Sequence, residues 1–94
     1  MRVFKYPIDL EGVQKIEMPE NANIIKLDCA NDQAYLYAIV DEENVVTTRT
    51  IKTYGTGHGI ISMPGCIDSY IGTYKTHNDR LVWHVFEEIK LTDN

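Results

Sequence analysis

The sequence predicts an all-β or β-rich fold, a small antiparallel sandwich or open barrel of about six or seven short strands with little helix. Short runs in which side chains alternate between two faces are separated by turn-forming residues along the whole chain. No stretch shows the sustained 3.6-residue repeat of an amphipathic helix. Because 94 residues leave room for one hydrophobic core, we expect a single domain over residues 1–94.

The predicted strands follow from this alternation. In chain order they span residues 2–8, 13–18, 24–30, 34–41, 45–54, 67–76 and 81–89. Asn31 and Asp32 accept turn geometry and predict a hairpin between the third and fourth strands, and residues 77–80 predict a second hairpin. The strand over 34–41 is apolar on both faces, which predicts a central position in a sheet. Residues 60–66 are irregular, and we expect one helical turn there.

Aromatic side chains are plentiful, with six tyrosines, two phenylalanines and one tryptophan. In a small β protein such rings most often form the core. We predict this position for Phe4, Tyr37, Trp83 and Phe86.

Charge and composition exclude several classes of partner. The chain has 14 acidic and 9 basic residues, a formal net charge of −5, and no basic run. Nucleic acid and anionic membranes are therefore not expected as partners. The sequence has neither a signal-peptide pattern nor an apolar stretch of about 20 residues, and its two cysteines are too few for a disulfide scaffold. We expect a cytoplasmic protein, and a homo-oligomer, because association hides apolar surface that a small chain exposes.

The segment Gly55-Thr56-Gly57-His58-Gly59 is the most informative one for function. Three glycines in five residues allow the backbone to approach another group closely. Successive N–H groups in such a loop can bind an anion, and the side chains of Thr56 and His58 can add hydrogen bonds. We therefore predict ligand contacts from Thr56, Gly57, His58 and Gly59. The alternative is a purely structural connection, in which the glycines answer steric demand.

Three further side chains are candidate ligand-binding residues. Arg49 and Tyr54 lie on the strand that leads into this loop, and Tyr74 lies on the sixth predicted strand. An arginine fork matches two oxygens of a phosphate or carboxylate, and tyrosine rings stack on bases. For Arg49 the alternative is a cross-strand ion pair. By the two-residue period, Lys52 falls on the opposite face of the strand from Arg49.

Catalytic and metal sites have little support in the sequence. It lacks the spacings CxxC, HxxxH and HExxH and the GxSxG elbow. We therefore predict no catalytic residues, no metal and no cofactor, and we favour a protein that is not an enzyme. A hydrolase with His58 or His84 as general base remains an alternative.

Four short blocks resemble a family of short, uncharacterised bacteriophage proteins. The blocks are RVFKYPI at residues 2–8, GTGH at 55–58, YIGTY at 70–74 and LVWHVFE at 81–87. The resemblance implies an accessory role inside a bacterial host, such as inhibition of antiviral defence through sequestration of a nucleotide signal.

The leading functional hypothesis combines this resemblance with the loop. It is a protein that binds and sequesters a small phosphorylated nucleotide signal, such as a cyclic dinucleotide or a cyclic ADP-ribose, in the cytoplasm of the host. Hydrolysis of such a signal by a phosphodiesterase-type reaction is one alternative. Binding of a host protein, without any small ligand, is the other.

Overall fold

The fold is a sandwich of two antiparallel β-sheets, as seen in a computed structural model that describes residues 1–10 and 12–91. The sheets are not closed into a barrel, so the all-β prediction is confirmed in its sandwich form. The strands in this part of the chain are β1 (Arg2–Ile8), β2 (Gly12–Pro19), β3 (Asn23–Ala30), β4 (Gln33–Val40), β5 (Val46–Gly55), β6 (Cys66–Thr76) and β7 (Leu81–Lys90).

The strands divide into a three-stranded sheet with the order β1-β4-β3 and a four-stranded sheet with the order β2-β5-β7-β6. Each pair is antiparallel, with Phe4 opposite Ala38 in the first sheet and Tyr54 opposite His84 in the second. Both β5 and β6 pair with β7 in antiparallel fashion, so β5 and β6 run parallel to one another. The segment that joins them must therefore cross β7, because parallel strands cannot be joined by a tight hairpin.

The core lies between the inner faces of the two sheets. Alternation along β4 turns Leu36, Ala38 and Val40 inward, where each is fully buried. Met18 and Val85 face them from the second sheet and are equally inaccessible. Each large apolar side chain contributes about 1.5–3 kcal/mol when it is fully removed from water. This shared apolar layer holds the sheets together.

The central position predicted for residues 34–41 is confirmed, since β4 has a partner strand on either side. On its outer face Tyr35, Tyr37 and Ile39 are half-buried. The Nζ atom of Lys5 lies 4.6 Å from the centroid of the Tyr35 ring, within range of a cation–π contact. The outer face of this sheet is therefore partly covered by its own side chains.

Both predicted hairpins form without glycine in their turns. Asn31 and Asp32 adopt positive φ angles of 52° and 62°, and His77, Asn78 and Asp79 adopt 57°, 57° and 65°. Asn and Asp tolerate this conformation better than most residues because their short side chains bond locally. The backbone N–H of His77 also donates to Oδ1 of Asp32 at 3.1 Å, which ties the two turns together.

Part of the aromatic prediction is wrong. Trp83 belongs to the core, and Phe4 packs against it half-buried. Tyr37 and Phe86 instead lie on the outer faces of their sheets. On β7 the buried residues are Trp83 and Val85, so the pleat turns Phe86 outward. The helical turn expected at residues 60–66 is also wrong, because that segment contains no helix.

Candidate functional site

A ten-residue connection between β5 and β6, residues 56–65, lies on the outer face of the four-stranded sheet; we call it the strap. It begins with the glycine loop and contacts the outward-facing side chains of β5 and β6. Tyr54 on β5 donates from its hydroxyl to the carbonyl oxygen of Ile61 at 3.3 Å. Ser62 donates from Oγ to Oδ2 of Asp68 on β6 at 3.2 Å. The strap therefore crosses β7 and is attached on both sides of it.

Lys52 is the main anchor of the strap. Its Nζ donates to the carbonyl oxygen of Ile61 at 3.0 Å and to Oδ1 of Asp68 at 3.1 Å. The same atom forms an ion pair with Oε1 of Glu88 at 2.7 Å. An ammonium has three N–H donors, and the three acceptors match that number. We call Lys52, Asp68 and Glu88 the clamp.

Lys52 is the least accessible member of the clamp, with its side chain only 3% exposed. Burial alone would lower the pKa of Lys52, but the contacts with Glu88 and Asp68 outweigh burial, so its pKa is raised. The ammonium stays charged at neutral pH and is fully engaged. Lys52 therefore has the environment of a structural cation, and a nucleophilic lysine would require a lowered pKa.

Beside the strap, on the side of β2 and β5, lies a groove of about 490 Å³. Its lining is mostly apolar, and its charged residues are Lys15, Lys52 and Glu88. Its lining residues are Gly12, Val13, Lys15, Thr50, Lys52, Thr53, Tyr54, His58, Gly59, Ile61, Met63 and Glu88. Val13, Ile61 and Met63 are 62%, 72% and 53% exposed, and together they form a continuous apolar part of this lining.

The glycine loop is a tight turn whose backbone donors are partly used. His58 donates its backbone N–H to the carbonyl oxygen of Gly55 at 3.0 Å, and Thr56 donates to that of Val82 at 3.1 Å. Gly57 takes a φ of 89°, which explains a glycine at that position. At Gly55 a Cβ would lie 3.0 Å from Cε1 of the His58 ring, so a larger residue there would require the ring to move. The ring of His58 thus folds back over Gly55.

The predicted ligand residues separate into two groups. Tyr54, His58 and Gly59 line the groove, and Thr56 and Gly57 lie next to them in the turn. Arg49 and Tyr74 lie on the inner side of the same sheet, so the sheet itself stands between them and the groove. The structure does not bring all seven predicted residues together.

Arg49 is engaged with protein groups. Its guanidinium makes a two-point ion pair with Glu87, with Nη2 donating to Oε1 at 2.9 Å and Nε donating to Oε2. Nη1 donates to the carbonyl oxygen of Ala22 at 2.8 Å. The pKa of Arg49 is raised by the hydrogen bonds with Glu87, which outweigh burial. This geometry matches the cross-strand ion pair that was the alternative for Arg49, and the pair is half-buried.

Tyr74 is a core residue, only 6% exposed. Its hydroxyl donates to the carbonyl oxygen of Leu10 at 3.4 Å. Burial, with smaller contributions from the charges of Cys29 and Asp9, raises the pKa of Tyr74 to about 12. Its ring is therefore packed between the sheets and is not available for stacking on a ligand in the groove.

His84 lies in a chain of hydroxyl groups beside the aromatic rings of the outer face. Its Nε2 shares a hydrogen bond of 2.7 Å with Oγ1 of Thr56, and its Nδ1 shares one of 3.1 Å with Oγ1 of Thr73. Thr73 in turn shares a hydrogen bond of 2.6 Å with the hydroxyl of Tyr70. Within residues 1–10 and 12–91 the hydrogen bonds of this imidazole reach hydroxyls and no carboxylate, whereas a general base is commonly oriented by a carboxylate.

The model of a family described as a domain of unknown function, DUF7352, matches residues 1–93. The chain belongs to this family. No curated protein and no solved structure matches it. The DUF7352 match spans all seven strands and the strap, so the groove lies within the family domain.

Two further structural findings hold for the part of the chain that the structure describes. It contains no helix that is long and apolar enough to cross a bilayer. It also contains no group of three or more His, Cys, Asp or Glu side chains placed to hold a metal ion.

Sequence reasoning missed the clamp and the apolar wall of the groove. Lys52 was correctly assigned to the face opposite Arg49, but its partners Asp68 and Glu88 lie far along the chain, and only the strand order brings them close. The wall had a visible signal. Ile61 and Met63 lie outside any predicted strand, directly after a glycine loop, which indicates a segment that packs on a neighbouring surface.

Proposed function

We propose that this protein binds a small nucleotide-derived molecule in the groove beside the strap and holds it without chemical change. The observation that supports this most is that Tyr54, His58 and Gly59, which the sequence singled out as ligand residues, line one groove of about 490 Å³. That volume lies within the range of about 300–1,000 Å³ that is common for small-molecule sites.

The lining suits a planar, partly polar molecule. Val13, Ile61 and Met63 offer apolar surface to a flat ring, and the ring of Tyr54 lies in the same wall. Lys15 and Glu88 provide a cation and a carboxylate in the lining. A few polar groups in an apolar cleft are the usual means of orienting a ligand.

Holding is favoured over hydrolysis by the state of the polar groups. The ammonium of Lys52 is fully engaged in the clamp, and His84 has hydroxyl neighbours in place of an orienting carboxylate. The biological role that we propose is removal of a host signalling nucleotide from solution, as the bacteriophage resemblance implies. Hydrolysis and binding of a host protein are the competing outcomes of the test.

The test is isothermal titration with cyclic dinucleotides, cyclic ADP-ribose isomers and simple mononucleotides. Val13→Glu places a charge in the groove wall and is expected to weaken binding at least tenfold, on the order of 1.4 kcal/mol. Val3→Glu is the matched control, because Val3 is 57% exposed against 62% for Val13 but lies in the other sheet. No heat from any compound, or equal effects of both variants, removes the proposal.

Recovery of the ligand distinguishes holding from hydrolysis. After overnight incubation and denaturation, mass spectrometry should return the ligand intact, and a hydrolysed product would identify an enzyme. Sedimentation of the native protein, before denaturation, tests the expected homo-oligomer. If all compounds fail to bind while a protein from host lysate binds in a Val13-dependent manner, the host-protein alternative replaces the proposal.

A further inference from the structure

We infer that the groove recognises the uncharged nucleoside part of its ligand, the base and the sugar, and leaves phosphate groups outside in solvent. This inference rests on the proposed function and names the ligand chemistry of the same site. It also changes the sequence-based expectation, in which the glycine loop was the phosphate-binding element.

The charges around the groove balance. Two cations line it, Lys15 and Lys52, and two carboxylates accompany them: Glu88 belongs to the lining, and Asp68 lies outside it and pairs with Lys52. These four charges cancel. A phosphate that enters this space meets no net positive charge to offset the loss of its hydration, and burial of an unpaired anion is costly.

Neither lysine of the groove lining is well placed to bind an anion. The three donors of Lys52 are directed at Ile61, Asp68 and Glu88. Lys15 is exposed, and its Nζ donates to Oγ1 of Thr50 at 3.1 Å. An exposed lysine adds little to the affinity for an anion, because water and salt screen its charge.

The backbone of the glycine loop also does not form a phosphate-binding site. An anion-binding nest needs successive N–H groups that converge on one point. In this turn the N–H of Thr56 is bonded to Val82 and that of His58 is bonded to Gly55. Two alternate donors of the segment are thus directed at carbonyl oxygens, which interrupts the convergent array that a phosphate would need.

The carboxylate of Glu88 is the group that favours a nucleoside. Its Oε1 is paired with Lys52, and it belongs to the groove lining with its side chain 18% exposed. Among the described residues, no hydrogen bond to its Oε2 is found. A carboxylate oxygen only accepts hydrogen bonds, so its natural ligands are hydroxyl and amino donors, such as those of a ribose or a nucleobase. The apolar wall then covers the face of the base.

The test compares adenosine, guanosine and cytidine with their 5′-monophosphates by titration at low and high salt. Each nucleoside should bind within about threefold of its monophosphate, and a tenfold rise in salt should leave both affinities within about threefold. Glu88→Gln should weaken nucleoside binding about tenfold or more, because a charged acceptor is lost. Asp68→Asn also removes a charge from the clamp but keeps the Glu88 carboxylate, so it should weaken nucleoside binding less than Glu88→Gln does.

Each outcome has a distinct meaning. If the monophosphates bind more than about tenfold more tightly and lose this advantage in salt, phosphate recognition is present and the inference fails, while the proposed function stands. Equal losses from Glu88→Gln and Asp68→Asn overturn the role of Glu88. If neither nucleosides nor nucleotides bind, the proposed function itself fails.

Discussion

Replacing Lys52 with methionine tests whether the clamp holds the strap on the sheet. Methionine keeps the length and apolar stem of the side chain but removes the ammonium. The carboxylates of Asp68 and Glu88 would then face each other without a cation, and the carbonyl oxygen of Ile61 would keep only its bond from Tyr54. We expect a less stable protein with a detached strap.

The size of the effect follows from the burial of the three side chains. Removal of one partner from a buried ion pair costs about 3–5 kcal/mol. Lys52 is 3% exposed, but Asp68 and Glu88 are 11% and 18% exposed, so water reaches the carboxylates in part. We therefore expect a loss at the lower end of this range, about 3 kcal/mol of unfolding free energy at pH 7. The free energy of unfolding of a typical domain is about 5–15 kcal/mol, so this loss is a large share of it.

Urea unfolding followed by the fluorescence of Trp83, the single tryptophan of the chain, measures this loss. The control combines Lys52→Met with Asp68→Asn and Glu88→Gln, and it should be more stable at pH 7 than Lys52→Met alone. A loss below about 1 kcal/mol at pH 7 would refute the reasoning.

Three further predictions concern the inner faces of the sheets. Gly72→Val should lower the free energy of unfolding in urea by about 1–3 kcal/mol, because a Cβ at position 72 would lie 3.0 Å from Cδ2 of Leu27 on the facing sheet. An unchanged urea midpoint would contradict this close approach. Arg49→Lys should lower the free energy of unfolding by about 1–3 kcal/mol, since an ammonium cannot reproduce the two-point contact with Glu87. If the variant is as stable as the wild type, the ion pair contributes nothing. The pKa of Tyr74 is raised to about 12 from 10.0, so the unfolded chain ionises first and the free energy of unfolding falls as pH rises from 10.0 to about 12. Tyr74→Phe should lessen that alkaline loss, and equal alkaline slopes for both proteins would contradict the assignment.

The strands themselves could be predicted because the alternation of side chains is a local property. Each predicted strand lies within two residues of the observed bounds, and the turn at Asn31 and Asp32 follows from residues that accept positive φ. The order of the strands could not be predicted. A two-residue period states which side chains share a face, but it does not state which strand lies beside which. The crossing of β7 by the strap was therefore not foreseen.

The same limit explains why only some of the predicted ligand residues line the groove. Tyr54 and His58 are close in sequence and also share the groove, so local reasoning sufficed for them. Tyr74 was a candidate for stacking because its ring is suitable, yet the pleat of β6 turns it into the core. For Arg49 the decisive fact is Glu87, 38 residues further along the chain. Chemistry that depends on a distant partner cannot be derived from one strand alone.

The position of β7 between β5 and β6 has a consequence for the order of assembly. β5 can first associate with β2, but its other edge stays open until residues 81–90 have been synthesised. β6 has no other pairing partner in its sheet, so its backbone groups also stay unpaired until β7 is present. Such non-local pairing favours slow folding, in milliseconds to seconds. In the interval the exposed edge of β5 offers a template for pairing with another nascent copy.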